Sequence, residues 1–107
     1  MLRICRRDRA LLECLAKYQI LSTAQIRTLL FQKSDFPTVL RRLRQLRNAN
    51  LIKSIGGLRY GSHAWFLSMK GASLIEGGKP WQFRNRNTLE HDLAVVELRL
   101  ALEKAGY

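Results

Sequence analysis

The chain has 107 residues, which is enough for one domain with a hydrophobic core and too few for two. Hydrophobic residues make up 47% and charged residues 25%, as in an ordinary globular protein, but the net charge of +11 is unusually high. No apolar run approaches the roughly 18 residues of a membrane-spanning helix, and MLRICRRDRA lacks the apolar stretch of a signal peptide. These features exclude a membrane-spanning protein, predict a cytoplasmic location and indicate a polyanionic partner.

The first predicted helix covers Asp8 to Tyr18, with Asp8 as its expected N-cap. Its apolar face consists of Leu11, Leu12, Leu15 and Tyr18. The helix follows a basic cluster that is either a solvated arm or a phosphate contact, formed by Arg3, Arg6, Arg7 and Arg9. Cys5 and Cys14 are most simply unpaired, because no second pair of ligands completes a metal site.

A second helix is predicted from about Thr23 to Phe31. Ser22 followed by Gln25 forms a capping box, in which each side chain satisfies the backbone N–H of the other residue. In helix-turn-helix proteins the first helix of the pair crosses the DNA backbone, and its free N–H groups can hold a phosphate. The candidates for that contact are Ser22, Thr23, Gln25 and Arg27, although capping alone explains the first three.

The third predicted helix, from about Pro37 to Ala49, has the composition of a recognition helix. Ser34 and Asp35 can cap it, and the fixed φ of Pro37 suits its first turn. Its buried stripe is predicted to consist of Phe36, Val39, Leu40, Leu43 and Leu46. The other side carries types of residue that contact bases and phosphates, namely Thr38, Arg41, Arg42, Arg44, Gln45 and Asn48.

The charges around this helix indicate a DNA-binding face and not merely a solvent-exposed one. An arginine-rich helix is often only a solvated face. Here, however, no acidic residue occurs between Asp35 and Glu76, whereas ordinary surfaces mix both signs. The single-sign segment therefore indicates nucleic-acid binding.

A hairpin is predicted after this helix, with a first strand over Leu51 to Ile55 and a return strand over His63 to Ser68. Asn50 stands where a left-handed residue often ends a helix. Trp65 and Leu67 fall on one face of the return strand and Phe66 on the other, so both faces are expected to be covered. The wing, residues 53–66, is predicted to grip the DNA backbone through Lys53, Arg59 and Tyr60.

These elements predict a mainly α fold with a small antiparallel β-hairpin, that is, a winged helix-turn-helix with an extra C-terminal helix. A short helix capped by Ser68 ends the DNA-binding domain, residues 1–80. Residues 81–107 are predicted to be a linker and a last helix that begins at Asn87 or Thr88. That helix has two apolar stripes, and one of them is assigned to dimerisation: Leu89, Leu93, Val96 and Leu100. The second stripe consists of Val95, Leu98 and Leu102.

Four segments, taken in chain order, carry a resemblance to a known family. They are DRALLECLAKYQILSTAQIRTLLF, RRLRQLRNANLI, WFLSMKGASLI and HDLAVVELRLAL, of which FLSMKGA and the last segment are the most specific. Together they resemble the replication-relaxation family of winged-helix proteins of bacterial plasmids and other mobile elements. The resemblance covers nearly the whole chain and implies a DNA-binding winged helix in plasmid replication, transfer or their transcriptional control.

Catalytic chemistry is not expected. His63 and His91 are the only histidines, and His91 and Asp92 are adjacent on a helix, where neighbouring side chains point about 100° apart. The sequence has no P-loop, no paired-carboxylate nuclease motif and no set of metal ligands at suitable spacing. We therefore expect neither enzyme activity nor a metal or cofactor.

The predicted function is sequence-specific binding of double-stranded DNA, as a transcriptional regulator or a replication- or transfer-control protein of a mobile element. The helix over 37–49 is expected in the major groove and the wing on the backbone. The expected partners are double-stranded DNA and a second copy of the chain, without a membrane or a small-molecule ligand. Two alternatives are a non-specific or RNA-binding accessory factor and a protein-interaction module in a replication complex.

Overall fold

A computed structural model describes residues 3–56, 63–75, 78 and 86–106, with side chains in the last range described from residue 89. Its elements are α1 (Arg6–Tyr18), β1 (Leu21–Ser22), α2 (Thr23–Leu30), α3 (Phe36–Asn48), β2 (Ile52–Ile55), β3 (Ala64–Leu67), α4 (Met69–Ser73) and α5 (Arg86–Lys104). The structure is mainly helical, with a small three-stranded antiparallel sheet. It confirms the predicted fold class and is compatible with a winged helix.

Helix α1 begins two residues before the predicted start, because Asp8 acts from inside the first turn. The N-cap is Cys5, whose backbone N–H donates to the Asp8 carboxylate at 3.0 Å. The prediction that Asp8 is itself the N-cap is therefore wrong. The apolar face is buried as predicted, at Leu11, Leu12, Leu15 and Tyr18.

Both helices of the predicted helix-turn-helix begin with the caps expected from the sequence. In α2 the Gln25 N–H donates to Ser22 Oγ at 3.2 Å, and the Ser22 N–H donates to Gln25 Oε1 at 2.8 Å. In α3 the Thr38 N–H donates to the Asp35 carboxylate at 2.9 Å. Beyond the end of α3, Asn50 has the expected left-handed conformation, with a φ of 64°.

Helix α3 turns the predicted stripe towards the core, with one exception. Val39, Leu43 and Leu46 are fully buried, and Leu40 is partly buried against them. Phe36 is 44% exposed, so its predicted burial is wrong. It is the first residue of the helix and lies beyond the core that the later turns cover.

The sheet contains a strand that the sequence did not reveal. Its order is β1-β3-β2, with Leu21 of β1 opposite Trp65 and Ile52 of β2 opposite Leu67. Strand β1 has two residues, which is too short for an alternating pattern to be recognised. Strand β3 is consequently the central strand, and both of its edges are paired.

Two hydrophobic clusters lie on opposite faces of β3 and confirm the expectation that both faces are covered. Trp65 and Leu67 belong to the main core, which they share with α1, α2 and α3. Ala64 and Phe66 belong to a second cluster together with Ile20 and with Leu89 of α5. Helix α5 therefore covers the back of the sheet.

This packing corrects the assignment of the dimerisation stripe. The residues assigned to it lie in or against the two clusters of the same chain: Leu89, Leu93, Val96 and Leu100. They are engaged within the chain itself, Leu89 and Val96 fully and Leu93 and Leu100 in part. The exposed stripe of α5 is the other one, in which Val95, Leu98 and Leu102 are 50%, 61% and 45% exposed.

Polar contacts fasten the last turns of α5 to α1 and α2. The hydroxyl of Tyr18 donates to the Glu103 carboxylate, and the guanidinium of Arg99 lies 4.8 Å from the centre of the Tyr18 ring. Nearer the middle of α5, Glu97 accepts a hydrogen bond from Gln25 Nε2 of α2 at 2.8 Å. These contacts fix which face of α5 is turned outwards.

The backbone of α5 is helical from Arg86, so the predicted caps Asn87 and Thr88 lie inside its first turn.

Across the described parts of the chain, no helix combines the length and the apolar character needed to cross a membrane.

Helix α4 clamps the junction between α3 and β2. The Ser68 hydroxyl caps α4 by accepting from the Gly71 N–H at 3.1 Å, and it donates to the carbonyl of Asn50 at 2.5 Å. A Cβ atom at Gly71 would lie 1.9 Å from the carbonyl oxygen of Leu51. Glycine is required here because the helix backbone directly approaches another backbone segment. The FLSMKGA segment therefore fixes the end of α3 against the hairpin.

Candidate nucleic-acid interface

The outer side of α3 presents most of the residues that the sequence assigned to base contacts. Five of the six are exposed: Thr38, Arg41, Arg44, Gln45 and Asn48. We call these five the outer face of α3. With one residue every 100°, Thr38, Arg41, Gln45 and Asn48 occupy its middle, and Arg44 lies at one edge. A helix buried on one side in this way can offer the outer face to a groove.

Arg42 is the sixth assigned residue, and its guanidinium is held inside the molecule. Its Nε donates to Asp8 Oδ1 at 2.8 Å, and its Nη2 donates to Asp8 Oδ2 and, at 3.0 Å, to the carbonyl of Arg3. The Asp8 side chain is only 1% exposed. A bidentate pair of this kind fixes the arginine, so the prediction that Arg42 is a base contact is corrected to a structural role.

The pair shifts the ionisation of both groups. Burial by itself raises the pKa of the Asp8 carboxyl, but hydrogen bonds from Arg42 and from the Cys5 backbone outweigh this and hold its pKa below the ordinary 3.8. The hydrogen bonds with Asp8 raise the pKa of Arg42 in turn. Both groups are therefore charged at neutral pH, and the single acidic side chain in contact with α3 at this point is neutralised by pairing.

The remaining nitrogen of Arg42 reaches the outer face. Its Nη1 donates to the side-chain oxygen of Gln45 at 2.7 Å. A continuous hydrogen-bonded chain therefore runs from the buried carboxylate of Asp8 through Arg42 to an exposed carboxamide.

Additional basic side chains lie near the C-terminal end of α3. Lys53 is exposed on β2, and Lys70 is exposed on α4, where its Nζ lies 3.4 Å from the carbonyl of Ala49. A shallow cleft of about 330 Å³ lies beside Lys53 and is lined in part by Asn50 and Ser68. The sequence did not assign Lys70 to the site, although its place in the segment without acidic residues was the available signal.

Arg47 lines the same cleft, but its guanidinium is held against the sheet. Its Nη1 donates to Ser54 Oγ at 3.1 Å, and its guanidinium lies 5.7 Å from the centre of the Trp65 ring. It joins α3 to the sheet.

The predicted phosphate contacts at the start of α2 are largely used within the fold. Thr23 is buried, its backbone N–H donates to the carbonyl of His63 at 3.1 Å, and its Oγ1 accepts from Trp65 Nε1 at 2.8 Å. Gln25 is buried under α5, and Ser22 is occupied by the capping box. The assignments of Thr23 and Gln25 are therefore corrected, because β3 and α5 cover these two side chains, whereas Ser22 is half-buried.

Arg27, the fourth of these candidates, is exposed on α2. Its Nε donates to the carbonyl of Ser34 at 3.0 Å and so supports the turn between α2 and α3.

Two of the three predicted wing contacts, Arg59 and Tyr60, lie outside the described residues. The third, Lys53, is exposed on β2, the first strand of the wing.

The basic N-terminal arm has internal partners at two positions. The guanidinium of Arg7 lies 5.2 Å from the centre of the Phe31 ring, and Arg9 pairs with Glu13 at 3.3 Å. The structure gives these two side chains partners within the fold.

The two histidines do not assemble with catalytic partners in the described part of the molecule. His63 immediately precedes β3, and its ring lies 6.2 Å from that of Trp65. His91 is exposed on α5, 3.6 Å from the carboxylate of Asp92. Among the described residues, no three side chains of His, Cys, Asp or Glu are placed to hold a metal ion.

Comparison with known proteins provides the family. The model of the replication-relaxation family matches residues 12–106, from the middle of α1 to the end of α5, and it confirms the resemblance. A search of curated proteins gave no match. The chain belongs to the replication-relaxation family, which associates it with the replication or relaxation of plasmids and other mobile elements.

Proposed function

We propose that the chain binds double-stranded DNA sequence-specifically and controls replication, transfer or transcription of a mobile element. The observation that carries this proposal is the outer face of α3. It projects basic and amide side chains, with Asp35 at the N-terminal cap as its acidic neighbour, and its opposite face is anchored in the core by Val39, Leu43 and Leu46. A helix held in this way is rigid enough to enter the major groove.

The distribution of charge supports an orientation with α3 towards the DNA. Four of the eight acidic residues of the chain lie on α5, namely Glu90, Asp92, Glu97 and Glu103. Asp8 is neutralised by Arg42, and Asp35 accepts a hydrogen bond at the start of α3. The basic surface and the acidic helix are thus separate, which steers a polyanion to one side of the molecule.

The position of each side chain on α3 assigns its role. Thr38, Arg41 and Gln45 occupy the middle of the outer face in the N-terminal and central turns, so they are the residues that read base edges. Arg44 at the edge, with Lys53 and Lys70 beyond the end of the helix, contacts phosphates.

The aromatic residues favour duplex DNA over single strands. Recognition of unpaired bases relies on exposed rings for stacking. Among the described residues, Tyr18, Phe31, Trp65 and Phe66 are buried, and Phe36 is partly exposed at the start of α3.

The proposal is tested by a fluorescence-anisotropy titration of the full chain with duplex DNA at two salt concentrations. The duplexes are the region upstream of the protein's own gene and a random sequence. We expect tighter binding to the upstream region, and this preference should persist at the higher salt. Arg41→Ala should reduce the preference, and Arg44→Ala should weaken binding to both duplexes alike and lower the salt slope by about one.

A matched control is Arg9→Ala, which removes one positive charge from α1 and should change the affinity less than either variant of α3. Equal binding to both duplexes that collapses with salt would contradict sequence-specific recognition. It would favour the non-specific accessory factor.

We further propose that a second copy of the chain covers the exposed stripe of α5. In an antiparallel pair of α5 helices centred on Leu98, Val95 of one copy faces Leu102 of the other, because these residues lie on the same side of the stripe. Ala94 and Ala101 face each other on the opposite side, and there Glu90 of one copy comes within one turn of Lys104 of the other. The stripe is therefore complementary to itself in shape and in charge.

A further inference from the structure

The hydrogen-bonded chain from Asp8 through Arg42 to Gln45 fixes the orientation of one carboxamide on the outer face of α3. The guanidinium of Arg42 is held by two bonds to a carboxylate that is 1% exposed and by a bond to the carbonyl of Arg3. Its Nη1 then donates to Gln45 at 2.7 Å. The anchor of this chain is buried, and its last member is exposed.

The chemistry of the bond determines which end of the carboxamide faces outwards. A guanidinium only donates hydrogen bonds, so the atom of Gln45 that meets Arg42 is necessarily the oxygen, Oε1. The amino group, Nε2, has two hydrogens that can be donated to a ligand. Gln45 therefore acts at this surface as a hydrogen-bond donor.

A glutamine whose oxygen is already bound and oriented by a guanidinium has a different base preference from a free glutamine. The usual pair of glutamine with adenine needs Oε1 to accept from the adenine N6 amino group while Nε2 donates to N7. Guanine presents two acceptors, O6 and N7, on its major-groove edge. A carboxamide whose oxygen is turned towards Arg42 and whose amino group is free matches guanine better than adenine.

We propose that Asp8 and Arg42 are positioning residues that hold Gln45 as a donor, so that Gln45 selects guanine and not adenine. This inference rests on the proposed function, since it specifies what one residue of that same interface reads. It also assigns a purpose to Arg42, which does not itself face the groove.

The first experiment selects preferred sites from a random duplex library with the full chain and with Gln45→Ala. The position at which Gln45→Ala loses its preference is the one that Gln45 reads. We expect guanine there in the wild-type selection, preferred over adenine by at least about fivefold in affinity. Adenine at that position, or no position affected by Gln45→Ala, would overturn the inference and leave the proposed function standing.

The absence of any sequence preference in the wild-type selection is a different result. It would overturn the proposed function and, with it, this inference. The two failures are therefore distinguishable in one data set.

Gln45→Glu tests the donor directly. The glutamate keeps an oxygen for Arg42 and replaces the donating amino group by a second acceptor, so we expect the guanine preference to disappear. Gln32→Glu is the matched control, because it makes the same change from glutamine to glutamate and adds the same charge at an exposed position outside the outer face of α3. Equal loss of the preference in both variants would show a general charge effect and would overturn the inference.

The double variant Asp8→Asn with Arg42→Met tests the positioning residues. The asparagine oxygen can still accept from the Cys5 N–H, and the uncharged pair avoids leaving a buried charge without a partner. With Oε1 of Gln45 released, we expect the preferred base at that position to change from guanine to adenine. Retained guanine preference in a variant with native circular dichroism would overturn the inference, and the result with Gln45→Glu decides it if the double variant does not fold.

Discussion

Asp8 shows how one residue can serve both the fold and the surface. Its carboxylate accepts from the backbone N–H of Cys5 at the start of α1, and it pairs with Arg42 of α3, 34 residues away in the sequence. Removing a carboxylate from water is unfavourable, and here the loss of hydration is offset by three donors. Removing either partner would leave the other without compensation.

We expect Asp8→Ala to lower the free energy of unfolding by about 3 kcal/mol, because it leaves a partly buried guanidinium without its partner. Urea denaturation at neutral pH measures this change. Since the folded-state pKa of Asp8 lies below its ordinary 3.8, the stabilisation is present above that value and is lost as the pH falls through the folded-state pKa. The difference between wild type and variant should therefore shrink below about pH 4.

Glu13→Ala is the control, because it breaks the exposed pair with Arg9 and should change the stability by less than about 1 kcal/mol. A difference between wild type and Asp8→Ala that stays constant down to pH 2 would contradict the stabilising role of the ionised carboxylate.

At the scale of elements, the sequence correctly predicted the structural features that depend only on residues close together in the chain. The capping box of Ser22 and Gln25 and the left-handed Asn50 are local signals, and both are present. It did not predict contacts that join distant segments. Gln25 is buried because Glu97, 72 residues later, comes to lie against it, and Arg42 is withdrawn from the site by Asp8. No local sequence pattern reveals either pairing. The sequence therefore assigned Gln25 and Arg42 wrongly to contacts with DNA.

The packing of α4 against the junction of α3 and β2 gives a prediction at the same scale. We expect Gly71→Ala to destabilise the fold by about 3 kcal/mol, at the upper end of the effect of overpacking, because the methyl group meets a backbone oxygen. This effect should exceed the gain of about 1 kcal/mol in helix propensity. The measurement is thermal unfolding followed by circular dichroism.

Met69→Ala in the same helix is the control, since Met69 is 79% exposed and should tolerate the change. An unchanged melting temperature for Gly71→Ala would show that α4 can move away from Leu51, and the clamp would then not be rigid.

The whole molecule has a basic side built around α3 and a side formed by the more acidic α5. In the proposed dimer the two copies meet through α5 and leave both basic sides free. A two-fold pair of this kind binds two half-sites, so the preferred DNA site should be an inverted repeat.

Sedimentation velocity of the full chain tests this arrangement. We expect a dimer at micromolar concentration, and we expect Leu98→Glu to produce a folded monomer, because it places two like charges at the centre of the pair. Met69→Glu, which charges an exposed apolar residue on α4, should leave the dimer intact. A wild-type chain that remains monomeric over this concentration range would contradict the dimer.

The cover that α5 provides for the sheet has a consequence for how the protein is made. Ile20 and Phe66 are synthesised early, but Leu89, which closes their cluster, and Val96, which completes the main core, come from the last helix. Because synthesis proceeds at about 5 to 20 residues per second, these apolar surfaces stay uncovered for some seconds before α5 is made. We therefore expect a chain interrupted before Leu89 to expose Ile20 and Phe66 and to aggregate, although it contains the whole of α3.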